Sequence, residues 1–147
     1  MTIKKRLEKE GITLNGLIDT ALKMYIYDPK IGREKRMRRL LREEFHKSLK
    51  DINVAVLITA GFLLEEELKK GNITGLGKKK YLSDPVDLIA DEILGLQIAN
   101  YISGARSLFE FERFDKKKPG ILKRLPPILD DVIAGLISGV LVKVCSQ

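Results

Sequence analysis

The chain has 147 residues, with 27 Lys and Arg against 20 Asp and Glu, one His, one Cys and no Trp. That length suits a single domain around one core, and a lone cysteine with a lone histidine excludes an internal disulfide or a Cys/His zinc cluster. The net charge of +7 invites a nucleic-acid or anionic-membrane reading, but the excess is local: residues 1–50 carry 14 basic and 7 acidic side chains, residues 51–110 carry 6 and 9, and residues 111–147 carry 7 and 4. The opening MTIKKRLEKEG has no apolar signal core, and no apolar run reaches the ~18–20 residues of a spanning helix. A cytoplasmic location without stable membrane insertion is expected.

In chain order, Leu14, Leu17, Ile18, Ala21, Leu22 and Tyr25 follow the helical period behind Thr13, so the spacing predicts a helix over 14–27 ending before Asp28-Pro29. From Arg33 a second helix carries Met37, Leu40, Leu41 and Leu49 on one stripe and a dense Arg/Lys face opposite. Residues 51–70 are apolar nearly all round until Glu65-Glu66-Glu67, which predicts a central buried helix stopped at Gly71. Residues 71–83 read as a loop. Asp84-Pro85-Val86-Asp87 predicts a helix start, with Asp as cap and Pro first, and a run to about Ser103. A shorter helix is expected over 107–117, a turn or two through Leu125 after Pro119-Gly120, and a last helix opened by Asp130-Asp131 and ending near Val144. The expected class is all-α: one multihelical domain, 1–147, with a charged part over 1–80 and a carboxylate-bearing part over 84–147.

Much chemistry is absent. Cys145 lies in an apolar tail without the phosphate-cradling loop a nucleophilic thiolate needs, and His46 sits among Arg and Lys, which leaves histidine acid–base catalysis without support. There are no Glu-x-x-His pairs for a di-iron bundle, no phosphate-binding glycine loop and no dinucleotide fingerprint. What remains is acid in apolar helices. Asp91-Glu92 interrupts Leu88-Ile89-Ala90 and Ile93-Leu94, and Asp130-Asp131 precedes Val132-Ile133-Ala134. A buried carboxylate needs a cation, donors or water, and a divalent metal such as Mg²⁺ meets that need with oxygen ligands. Gly95 follows Asp91 by four residues and Gly135 follows Asp131 by four. One turn on, each glycine leaves room for a neighbouring backbone, an ion or a ligand. The alternative is that Asp130-Asp131 is only an acidic first turn and Asp91-Glu92 pairs with surface lysines. Between the pairs, Arg113-Phe114-Asp115-Lys116-Lys117-Lys118-Pro119-Gly120 offers a fifth carboxylate and cations suited to phosphate.

At these residues the chain resembles the phosphatidylglycerophosphatase A family. The ordered segments are Asp91-Glu92-Ile93-Leu94-Gly95, Phe114-Asp115-x-x-Lys118-Pro119-Gly120 and Leu129-Asp130-Asp131-x-x-Ala134-Gly135. Within the family the chain is most similar to the soluble archaeal α-ribazole phosphatases of cobalamin synthesis, the CobZ type. The likeness extends to Glu10-Gly11-Ile12-Thr13-Leu14, Asp51-Ile52-Asn53 and Asp84-Pro85. It implies a multihelical fold and a Mg²⁺-dependent phosphomonoesterase using one or two ions. Carried over, Asp91, Glu92, Asp115, Asp130 and Asp131 would be metal ligands or water-activating acids, with Glu92 or Asp131 as base. Lys118 would contact phosphate, with Arg113 as a further phosphate candidate. The long apolar spans of the membrane enzymes are missing here, which favours a soluble phosphorylated small molecule over a lipid.

Two other readings remain. The first is a phosphatidylglycerophosphate phosphatase in peripheral contact with a membrane through the basic face of 33–50. The second is a non-enzymatic basic helical module, although few aromatics lie near the basic stretch and no nucleic-acid partner is expected. A homodimer is compatible with the apolar helices.

Overall fold

The computed structural model describes residues 1–83 and 85–147. Among these the chain forms α1 (Ile3–Lys9), α2 (Leu14–Met24), α3 (Glu34–Ser48), α4 (Ile52–Lys69), α5 (Lys78–Leu82), α6 (Ala90–Ser103), α7 (Arg106–Lys117), a 3₁₀ turn (Gly120–Arg124) and α8 (Pro127–Cys145). No strand occurs among the described residues, so the all-α class stands.

The caps follow the chemistry of the residues. Thr13 Oγ1 accepts from the Gly16 amide at 3.0 Å and starts α2, and Asp51 Oδ1 accepts from Asn53 and Val54 and starts α4, each satisfying amides that have no partner inside the helix. Helix α2 stops at Met24, earlier than its apolar spacing predicts, because Tyr25 turns its hydroxyl onto the Gly32 carbonyl at 2.7 Å and anchors the following loop. The loop expected over 71–83 contains α5, held by fully buried Tyr81.

The central helix is α8, not α4. Every residue from Ile128 to Leu141 is buried, and α2, α3, α4, α6 and α7 all pack on it. In α4, by contrast, Ile52, Val56 and Leu63 are 74%, 60% and 51% exposed. The close approach comes from glycine. A Cβ on Gly135 would collide with the Gly95 backbone, and one on Gly95 would collide with the Asp131 carbonyl, so α6 and α8 touch backbone to backbone. Further along, a Cβ on Gly139 would lie 2.8 Å from Ile102.

Two helix starts differ from expectation. Asp84 lies outside the described residues. Pro85 to Leu88 form a turn, closed by the Leu88 amide on the Pro85 carbonyl at 3.0 Å, while Asp87 pairs with Lys80 of α5, and α6 begins only at Ala90. Helix α8 begins at Pro127, ahead of the acidic pair. Proline at the first position has a compatible φ and gives up an amide that no helical carbonyl would have used, so Asp130 and Asp131 stand inside the helix rather than at its cap.

Candidate active site

Three helix ends meet at the carboxylates. The first turn of α6 supplies Asp91, which is buried against α8, and Glu92, which is exposed. The start of α8 supplies Asp130, which closes its first turn, and Asp131, which follows it, both buried. The end of α7 supplies Asp115 and, as its cap, Lys118. Lys118 has φ of 45°, a left-handed conformation uncommon for a residue with a Cβ. It donates its amide to the Phe114 carbonyl at 2.8 Å, and the reversal brings its Nζ back to Asp115 at 3.2 Å and into a hydrogen bond with Asp130. The segment that follows is pinned to α2: Gly120 has φ of 58°, and a Cβ there would collide with Thr20, whose hydroxyl accepts from the Ile121 amide at 3.2 Å.

Carboxylate oxygens of Asp115, Asp130 and Asp131 all lie within 4.8 Å of one another. They open onto a cavity of about 320 Å³, lined by the five acids and Lys118 together with Pro85, Val86, Leu88 and Pro127. A larger cavity of about 600 Å³, lined by Tyr25, Tyr27 and Arg33 among others, holds no such acidic convergence among the described residues.

The electrostatics are those of a crowded acid cluster. Burial, followed by hydrogen bonding and repulsion from Asp115 and Asp91, pushes the Asp131 carboxyl up to about 10. Partial burial works to lower Lys118, but hydrogen bonding and attraction from Asp130 and Asp115 outweigh it and raise the ammonium above its ordinary value. Asp91 Oδ1 is buried and accepts no hydrogen bond. Converging oxygen donors, excess negative charge and a buried acceptor lacking a donor together fit a hard divalent cation such as Mg²⁺ or Mn²⁺.

The structure thus brings together Asp91, Glu92, Asp115, Lys118, Asp130 and Asp131. It places Arg113 elsewhere: the guanidinium pairs with Glu110 and donates to the Met24 carbonyl at 3.1 Å, and Arg113 does not line the cavity. Cys145 is half-buried, and burial raises its thiol pKa, which disfavours a thiolate. The sequence reading missed Glu65. It is 2% exposed, and its Oε1 accepts from the Leu129 amide at 3.3 Å. Burial raises its carboxyl and Asp91 adds to the rise, against the amides of Leu129 and Ile128 and the charge of Lys69. A signal existed: Glu65 falls on the stripe Val54, Ile58, Gly61, Phe62, Leu68 that α4 buries, whereas Glu66 and Glu67 do not.

An all-helical fold with an aspartate cluster between glycine-packed helices defines the class. Residues 12–146 match the phosphatidylglycerophosphatase A family, and the chain belongs to that family of phosphatases. An uncharacterised protein of Methanocaldococcus jannaschii is 39% identical over 113 residues, covering 74% of this chain and 86% of that one. Among solved structures, the low temperature requirement C protein of Listeria monocytogenes is similar with a TM-score of 0.83 at 21% identity, covering 98% of this chain and 92% of that one. Protein ypjQ of Bacillus subtilis gives 0.81 at 22% identity, covering 98% and 91%. At those identities the two structures bear on the fold alone.

Proposed function

We propose that the protein is a divalent-metal-dependent phosphomonoester hydrolase acting on a soluble phosphorylated small molecule, with α-ribazole 5′-phosphate or adenosylcobalamin 5′-phosphate as the substrate to test first. The observation that carries the chemistry is the convergence of Asp115, Asp130 and Asp131 within 4.8 Å beside buried Asp91. The substrate choice is supported by the resemblance at the three acidic segments. It is also supported by the described helices, none of which is long and apolar enough to cross a membrane.

Asp91, Asp115, Asp130 and Asp131, with Glu92 on the open side, would hold Mg²⁺. When bound, the cation supplies neutralisation of the phosphate oxygens and a water of lowered pKa. Lys118 stands at the boundary between the acids and the open cavity and donates to a phosphate oxygen, stabilising charge as it redistributes. Exposed Glu92 accepts the proton of the attacking water. The water oxygen bonds to phosphorus, the ester P–O bond breaks with its electron pair on the leaving oxygen, and that oxygen takes a proton from solvent water while Glu92 returns its proton to solvent. Pro85, Val86, Leu88 and Pro127, which also line the cavity, would face the non-phosphate part of the ester.

A lipid phosphate monoester is the second reading, favoured by Val86, which lines the cavity yet is 98% exposed. Phosphate release from α-ribazole 5′-phosphate, phosphatidylglycerophosphate in micelles and an aryl phosphate, each with Mg²⁺ and with EDTA, tests both. Turnover of the soluble ester ahead of the lipid is expected. The reverse ranking selects the lipid, and no Mg²⁺-dependent release from any of the three removes the hydrolase.

A further inference from the structure

Helix α8 begins with an unusual donor inventory. Its cap is Pro126, with no side-chain cap hydrogen bond, and its first residue is Pro127. A helix start ordinarily leaves four amides without partners. Here the two prolines remove two of them, and the Asp130 amide reaches back to the Pro126 carbonyl at 2.8 Å. The amides of Ile128 and Leu129 remain, on residues that are both buried and so poorly placed to use water. The Leu129 amide finds its acceptor on another helix: it donates at 3.3 Å to Oε1 of Glu65 of α4.

We propose that Glu65 is a positioning residue: from α4 it caps the start of α8 across the core and so fixes the turn that carries Asp130 and Asp131. Leu129 immediately precedes the acidic pair, so a shift of this turn moves both carboxylates relative to Asp91 and Asp115. The role needs an acceptor at Oε1 and no charge. Glutamine supplies it, whereas alanine and methionine do not. The positioning role rests on the proposed metal-dependent site; the cap itself does not.

Two readouts separate these. In the metal-free protein, hydrogen exchange at the Leu129 amide, referenced to Ile137, should accelerate about tenfold in Glu65→Ala and in the space-filling Glu65→Met, and stay near wild type in Glu65→Gln. Mn²⁺ affinity by titration calorimetry should weaken about tenfold to a hundredfold in the first two and remain within about twofold in Glu65→Gln, the range for loss of a group that orients ligands. Glu65→Met serves where alanine fails to fold. Unchanged Leu129 exchange in Glu65→Met overturns the cap. A loss of Mn²⁺ affinity in Glu65→Gln equal to that in Glu65→Met overturns the positioning role, because the charge itself would then matter. No Mn²⁺ binding by the wild type removes the hydrolase reading and the positioning role with it, while Leu129 exchange still decides the cap.

Discussion

Helices α4 and α8 are alike in length and apolar character and opposites in the fold. Both are long, both are apolar on most sides, and both carry adjacent acids; yet α8 is buried throughout its middle while α4 shows Ile52, Val56 and Leu63 to the outside. The difference lies in small residues and in what they touch. Gly135 and Gly139 let α6 lie directly on α8, whereas Gly61, the glycine of α4, accommodates Val132 of α8. Hydropathy selects helices that can be buried; the positions of the glycines select the one that is surrounded. The same contrast separates the acids. Asp130 and Asp131 enter the core as a pair facing two further carboxylates, while of Glu65-Glu66-Glu67 only Glu65 enters, to meet the Leu129 amide.

The contrast can be broken most severely at Asp131. Asp131→Asn should lower Mg²⁺-dependent phosphate release at least about a thousandfold with helical circular dichroism unchanged. Near-normal turnover would mean that the acids of α8 serve only its helix start. Gly135→Val, which drives a side chain into the Gly95 backbone, should cost about 3 kcal/mol by denaturant midpoint. A neutral result would show that α6 and α8 separate easily. Lys118→Met should reduce turnover about a hundredfold, with most of the loss in kcat if the ammonium acts on the transferring phosphoryl group.

A pH dependence sharpens the comparison further. Because the folded Asp131 carboxyl lies above its ordinary value of 3.8, near 10, its contribution to stability is full below that ordinary value and is lost as pH rises towards 10. Without divalent cation, the denaturant midpoint should therefore fall between pH 5 and pH 8, and Asp131→Asn should flatten the fall. A midpoint that rises over that interval, equally in both proteins, would contradict the assignment. The smallest effect is expected on the open face of α4, where Val56→Ala should stay within about 0.5 kcal/mol of wild type. A larger loss would reveal a partner on that face.

Much of this was legible in the sequence, and the exceptions have physical causes. The acidic pairs were visible because carboxylates interrupt apolar periodicity, and the α6–α8 contact because each pair has a glycine one turn on. The order of burial was not visible, since an apolar helix does not say which of its faces finds a neighbour. Spacing makes Asp130 and Asp131 the opening of the last helix because Pro126-Pro127 reads as a break, whereas Pro127 starts the helix. Arg113 belonged to the right segment but points to Met24 and Glu110, a choice made by tertiary contacts that spacing cannot express. Glu65 was hidden in a run of three acids that resembles a solvated helix end, although its register with Ile58, Gly61, Phe62 and Leu68 marks it as inward.

The central claim is that the carboxylates between α6, α7 and α8 hold a divalent cation. Titration calorimetry of Mn²⁺ into the wild type and into Asp131→Asn tests it most directly. Saturable binding by the wild type, absent or weakened at least about a hundredfold in an Asp131→Asn protein of unchanged helicity, is predicted; equal binding by both, or none by the wild type, would contradict it.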